Sequence, residues 1–158
     1  MEKPTEKPLT KNEVMKSEKP DLSGTIRETL ANSEADRFSG DDEQFIKFHG
    51  IYQQDDRDKR KTGKEYSVMV RTRQTGGIVP AAQYIVYDEL SGRFANGTLR
   101  ITSRQTFQFH GVAQRGIGSL IKGINDALSS TLATCGDVNR NVTAPSNPPV
   151  DHVAVQVD

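Results

Sequence analysis

Tryptophan is absent from this chain of 158 residues, and cysteine occurs once, at Cys135. One cysteine excludes an internal disulfide and cannot by itself build a cysteine-based zinc or iron–sulfur site. No apolar run approaches the roughly 20 residues needed to span a bilayer. The opening MEKPTEKPLTKNE lacks the apolar core of a secretion signal and carries acids that a transit peptide avoids. These absences predict a soluble, cytoplasmic protein with no membrane partner. Net charge is missing too, because 21 Lys and Arg balance 21 Asp and Glu. There is then no bulk positive field to hold nucleic acid non-specifically, and any anion site must be local. Aromatic residues make up 6% of the chain and hydrophobic residues 34%, enough for one domain with a modest core and much polar surface.

No P-loop, Gly-x-Ser-x-Gly elbow, HExxH motif or internal repeat is present. Residues 1–20 alternate Lys, Glu and Pro, a composition that predicts a flexible arm. Residues 21–33, DLSGTIRETLANS, space Leu22, Ile26 and Leu30 by four and predict a short helix capped near Ser23. A brief apolar strand or turn follows in FIKFHGIYQQ, and then a charge-dense loop, DDRDKRK, read as a hydrated surface. YSVMVRTR alternates as a strand with Arg71 and Arg73 on one side, and residues 74–77 break it. Residues 79–90 predict a helix with Pro80 in its first turn and Ala82, Ile85, Val86 and Leu90 toward a core. A second helix runs through Ile117, Leu120, Ile121, Ile124 and Leu128, weakened by Gly118 and Gly123. The sum is a small α+β unit.

Residues 97–111, GTLRITSRQTFQFHG, read as one long strand. Its even positions, Arg100, Thr102, Arg104, Thr106, Gln108 and His110, contain no acid, whereas Leu99, Ile101, Phe107 and Phe109 stand among the odd ones. An ordinary solvated face mixes both charge signs, so a row of donors without acids points to an anion. With Arg71, Arg73 and Arg140 the arginines form the strongest grouping in the chain, since each offers a permanently charged fork of N–H donors. His49 and His110, both in FHG, have no carboxylate at metal spacing and read as structural or hydrogen-bonding residues, with no metal site assigned. Cys135 has no base near it in sequence and reads as buried and inert.

KFHGIYQQDDRD, VRTRQTGG, LRITSRQTFQFHG and CGDVNRNV followed by SNP, in that order, resemble the N-terminal part of assimilatory sulfite reductase hemoproteins. Ferredoxin-dependent nitrite reductases share the plan, with YQQDDRD closer to the sulfite branch. The resemblance implies an α+β, ferredoxin-like half domain over residues 66–131. A disordered arm (1–20) and an extension wrapping the core (21–65) would precede it. Residues 132–158 would begin an incomplete siroheme/iron–sulfur lobe. It implies siroheme and a [4Fe–4S] cluster as cofactors, sulfite as substrate, and an NADPH flavoprotein or a ferredoxin as electron donor. Arg71 and Arg140 would touch both substrate and siroheme as catalytic arginines. Arg100, Thr102, Arg104, Gln108, His110 and Asn141 would bind the cofactor, with Ser103 standing where an Asn is common in the family. Two substrate lysines and all four cluster cysteines come from sequence beyond the matched region in that family, so the chain alone is expected to be inactive. Rival readings are a nitrite reductase fragment and a non-catalytic tetrapyrrole- or anion-binding module.

Overall fold

The computed structural model describes residues 8–55, 58–136 and 138–145. Among them, the elements run α1 (Lys11–Glu18), α2 (Ile26–Ala31), α3 (Asp42–Phe48), β1 (Ile51–Asp55), β2 (Tyr66–Arg71), α4 (Ala81–Phe94), β3 (Leu99–Ile101), β4 (Phe107–Val112) and α5 (Ile117–Asp126). The strands form one antiparallel sheet in the order β1-β2-β4-β3. Elements β2 to α5 follow the β-α-β-β-α order of a split βαβ, with β4 inserted between the parallel strands β2 and β3. The fourth strand, β1, comes from the N-terminal side and pairs with β2 from Ile51 opposite Val70 to Asp55 opposite Tyr66.

Period-two burial gives the sheet two unlike faces. Val68, Val70, Phe107 and Phe109 point to one side and meet Tyr87 and Leu90 of α4 and Ile117, Leu120 and Ile124 of α5. The Tyr87 ring stands edge-on to Phe107 and Phe109 at 5.6 and 5.9 Å. Removing one such side chain, as in Leu120→Ala, costs roughly 2–5 kcal/mol. Gly123, a poor helix former, is required by this packing: a Cβ there would lie 2.6 Å from Leu90 Cδ2. The opposite face carries Tyr52, Met69, Arg71, Gln108 and Arg100, the last three aligned in register across β2, β4 and β3.

Several expectations are corrected. The single strand over 97–111 is a hairpin, because residues 102–106 turn the chain back. Gln105 takes a positive φ of 57°, and the Thr102 hydroxyl accepts from the Arg104 and Thr106 amides. Thr102, Arg104 and Thr106 therefore do not share one strand face with Arg100 and Gln108, and Thr106 is buried. The arm expected at 1–20 is helical in part: Thr10 and Glu13 form a reciprocal capping box at the start of α1. Its first seven residues, like residues 146–158 of the lobe expected from residue 132, lie outside the described residues. The helix expected at 21–33 shrinks to α2, preceded by Leu22 at φ 56°, and its Leu30 is exposed. The helix expected at 79–90 starts one residue after Pro80 and runs to Phe94. It buries Tyr87, Leu90 and Ser91 and leaves Ala82 and Ile85 outside. Leu128 lies beyond α5 and is 94% exposed rather than in the core. No helix among the described residues is long and apolar enough to cross a membrane.

Candidate functional site

The end of β2 and the segment after α5 meet at the edge of the open face, and Gly50 makes that approach possible. At φ +78°, a Cβ on Gly50 would sit 2.2 Å from the Thr131 carbonyl oxygen and 2.6 Å from Thr134 Oγ1. The Gly50 carbonyl accepts from the Arg71 amide at 2.9 Å, and Thr134 Oγ1 donates to the Arg71 carbonyl at 3.1 Å. Arg71 is thus held from both sides where β2 ends.

Its guanidinium then runs into neutral acceptors. Nη1 donates to the Thr134 carbonyl at 3.1 Å. Orienting the Gln108 amide by its hydrogen-bond network turns its oxygen to Arg71 Nη2 at 2.5 Å and Nε at 3.1 Å, and its nitrogen donates to His110 Nε2 at 3.1 Å. In this arrangement His110 Nε2 accepts. Burial, and then the nearby Arg100 and Arg71 charges, hold it below the ordinary histidine pKa. Arg140 donates from Nε and Nη2 to the Gly136 carbonyl at 3.4 and 3.3 Å. Among the described residues neither Arg71 nor Arg140 meets a carboxylate, so both charges face the site uncompensated.

Arg71 and Arg140 share a cavity of about 290 Å³ with Lys16, Lys47 and Cys135, and among the described residues that line it there is no Asp or Glu. A second, shallower concavity beside it is lined by Arg104, Gly136, Val138, Asn139 and Arg140. Arg140 thus belongs to both. Arg100 lies in the open, opposite Gln108, and faces the same side as Arg71.

Other sequence-selected residues take different places. Thr102 spends its hydroxyl on the turn and on Thr106 Oγ1 at 2.8 Å. The buried Asn141 amide accepts from the Gln74 amide and donates to the carbonyls of Gln74, Arg104 and Val142, so it frames the site rather than opening into it. Arg73 leaves the grouping: its Nη2 donates to the Ala133 carbonyl at 3.4 Å, and it lines a separate groove with Gln83 and Leu128. His49 is structural, bonded through Nε2 to the Leu22 carbonyl at 2.9 Å. The buried Cys135 lines the cavity. Lys16 and Lys47 are cavity residues that reading the sequence did not select. Neither carries a local signal that separates it from the chain's other lysines, and tertiary packing alone brings them to this wall.

A split βαβ sheet with helices packed on one face and a basic concavity beside the other defines a ferredoxin-like half domain. Residues 58–127 match the nitrite/sulfite reductase ferredoxin-like half domain. That half domain is therefore present in the chain, and the chain as a whole is similar to the N-terminal part of sulfite reductase hemoproteins. It is 41% identical to the sulfite reductase [NADPH] hemoprotein beta-component of Staphylococcus haemolyticus, over 100% of this chain and 29% of that protein. Identity to the equivalent component of Methylobacterium nodulans is 45%, covering 89% of this chain and 24% of the relative. The chain therefore spans less than a third of the relatives it matches. The solved structure of Mycobacterium tuberculosis NirA superposes with a TM-score of 0.70 at 25% identity, over 87% of this chain and 27% of that one.

Proposed function

We propose that the chain is the N-terminal part of an assimilatory sulfite reductase hemoprotein, an oxidoreductase of the cytoplasm, and that it contributes cations to the siroheme and sulfite sites. The observation that carries this reading is the convergence of Arg71 and Arg140 on one cavity, in a chain whose relatives are named as sulfite reductase hemoproteins. Siroheme, an iron tetrapyrrole with eight carboxylates, fits the donor set: Arg100 and Arg104 stand exposed with no carboxylate partner among the described residues. Its eight anionic groups need such charge-assisted donors.

Arg71 and Arg140 would hold the substrate oxygens and stabilise the negative charge that gathers on each, while the two protons that each departing water needs come from solvent. Arg100 and Arg104 pair with siroheme carboxylates. Gln108 and His110 complete that edge as hydrogen-bonding groups, Thr102 shapes the turn beneath it, and Asn141 positions Arg104 against Arg140. Siroheme, when bound, supplies electrons to the sulfur of sulfite, six in all, and a [4Fe–4S] cluster feeds it. One cysteine cannot ligate that cluster, so the 158 residues hold a partial site. The NADPH in the relatives' names favours a flavoprotein as electron donor over a ferredoxin.

The test is siroheme titration of the chain, followed through the Soret and red-region bands. Saturable band shifts, weakened in Arg100→Ala and Arg104→Ala, support the reading. A chain that leaves the spectrum of free siroheme unchanged refutes it. Sulfite and nitrite are then added to the loaded chain, and a spectral response to nitrite alone moves the assignment to the nitrite branch.

A further inference from the structure

Helix α1 forms one wall of the cavity that Arg71 and Arg140 share, through Asn12, Met15 and Lys16. None of its residues is buried, so the back of that wall stands in solvent. The facing walls come from α3, from the open face of β1 and β2, and from the segment that carries Cys135 and Arg140, with Phe45, Met69 and Cys135 buried among them. One wall is thus superficial while the others belong to the body of the fold.

The chain just after α1 is fixed far more firmly than α1 itself. His49 Nε2 bonds the Leu22 carbonyl at 2.9 Å. The Thr25 amide and hydroxyl both donate to the buried Asp42 carboxylate, at 2.9 and 2.5 Å. Gly24 between them, at φ +49°, lies so close that a Cβ would sit 2.2 Å from Asp42 Oδ1. Helix α1 joins this anchor through an exposed turn at Lys19, Pro20 and Asp21. Its capping box of Thr10 and Glu13 ties the first turn to itself and not to the body. The contacts that press α1 down lie at the surface. Lys11 Nζ meets Asp41 Oδ1 at 2.6 Å, with the two side chains 75% and 64% exposed, and Lys16 Nζ lies 4.8 Å from the centre of the Phe48 ring. Exposed pairs of these kinds are weak, and salt screens the first.

We propose that α1 is a hinged lid: it pivots at residues 19–21, closes onto Asp41 and Phe48 to shut the cavity, and opens to admit ligand to Arg71 and Arg140. The gating of that ligand rests on the function proposed above, whereas the hinge can be measured with no ligand present. Closure brings Met15 and Lys16 to the wall, so a ligand that touches them shifts the lid toward its closed state.

Cys135, the one cysteine of the chain, is buried on the cavity wall and serves as the reporter. The experiment is alkylation of the native 158-residue chain by excess iodoacetamide at fixed pH, followed by intact mass, without siroheme or sulfite. The wild type should react far more slowly than the urea-unfolded chain. Lys11→Glu, which sets two carboxylates face to face, should react about two- to fivefold faster than wild type, the range expected for an exposed ion pair. Lys11→Glu combined with Asp41→Lys restores the pair in reverse and should return to the wild-type rate. Ile124→Val, in the core under the other face of the sheet, should lower the urea midpoint and leave the alkylation rate unchanged. Equal rates in wild type and Lys11→Glu, or a reversed pair that reacts as fast as Lys11→Glu, overturn the proposal. A rate that rises in Ile124→Val does so too, because unfolding of the whole domain would then be what exposes the thiol. Siroheme titration of the same proteins separates the two ideas. Alkylation that depends on the Lys11 pair with no siroheme uptake sinks the cofactor reading alone, and siroheme uptake with alkylation indifferent to Lys11 sinks the lid alone.

Discussion

The side-chain amide of Asn141 donates to the carbonyl of Arg104 at 2.9 Å, and this one bond ties the turn between β3 and β4 to the segment that carries Arg140. The same amide takes the Gln74 N–H at 2.9 Å and gives to the Gln74 carbonyl at 2.6 Å. Three stretches far apart in sequence are thereby pinned at one buried point. Gln105 reinforces the clamp with a reciprocal pair to the Ala144 backbone, at 2.6 and 3.0 Å.

Replacing Asn141 with Ala should therefore act on both the fold and the site. It strands the Gln74 amide and carbonyl in a buried place, which costs about 2–4 kcal/mol by the usual price of unmet hydrogen bonds. Urea midpoints should fall accordingly. Siroheme titration of the variant at low urea should show weaker uptake, since Arg104 and Arg140 lose their common frame. A midpoint unchanged from wild type would contradict the clamp.

Gly50→Ala tests the approach of β2 to the segment after α5. The added methyl meets the Thr131 carbonyl and the Thr134 hydroxyl well inside contact distance, at a positive φ. Strain and overpacking together should cost about 3 kcal/mol, read as a lower urea midpoint with an unchanged slope. Arg71 should shift with it, so sulfite affinity measured on the folded fraction should drop as well. Full affinity in the variant would show that the Arg71 backbone is held by something other than Gly50 and Thr134.

How much of this was legible beforehand follows from where the signals lie. Period-two alternation marked β2, and the three- and four-residue spacing of Ile117, Leu120 and Ile124 marked α5, because both elements bury one face against the same core. The turn at 102–106 contains no Gly, Pro or Asn. The Thr102 hydroxyl closes it locally, and Gln105 grips Ala144 from 39 positions away, a contact that no local window holds. Helix α1 did carry a local sign, Thr10 followed three residues later by Glu13, masked by a polar composition that reads as an arm. Arg71 and Arg140 stood out through their motifs. Lys16 and Lys47 did not, since only packing brings them to the same wall.

His110 should make stability depend on pH in a defined direction. Its folded pKa is depressed by burial and by Arg100 and Arg71, so over the interval below about 6.5, the ordinary histidine value, the unfolded chain holds a proton at this position that the folded chain does not. Stability then falls as pH drops from about 6.5 to the folded pKa and levels off below it. Urea midpoints followed from pH 7.5 to 5.5 should decline more steeply in the wild type than in His110→Gln, which keeps a polar group without the titration. Parallel curves for the two proteins would mean that His110 does not titrate differently on folding.

Gln108→Glu sets fold against site. The carboxylate would take the place of an amide oxygen that already lies 2.5 and 3.1 Å from two Arg71 nitrogens, turning a neutral pair into a charge-assisted fork with no change of shape. Stability should rise by about 1 kcal/mol after allowance for partial exposure, and the same charge should raise the His110 pKa by attraction. Yet the cavity would lose the uncompensated charge of Arg71, and sulfite should bind about tenfold more weakly, the loss of roughly one charge contact. A neutral glutamine at this position therefore makes sense only if Arg71 is kept unpaired for a ligand. A Gln108→Glu protein that is both more stable and undiminished in sulfite affinity would show that Arg71 is a structural arginine, and would remove the reason for reading this face as an anion site.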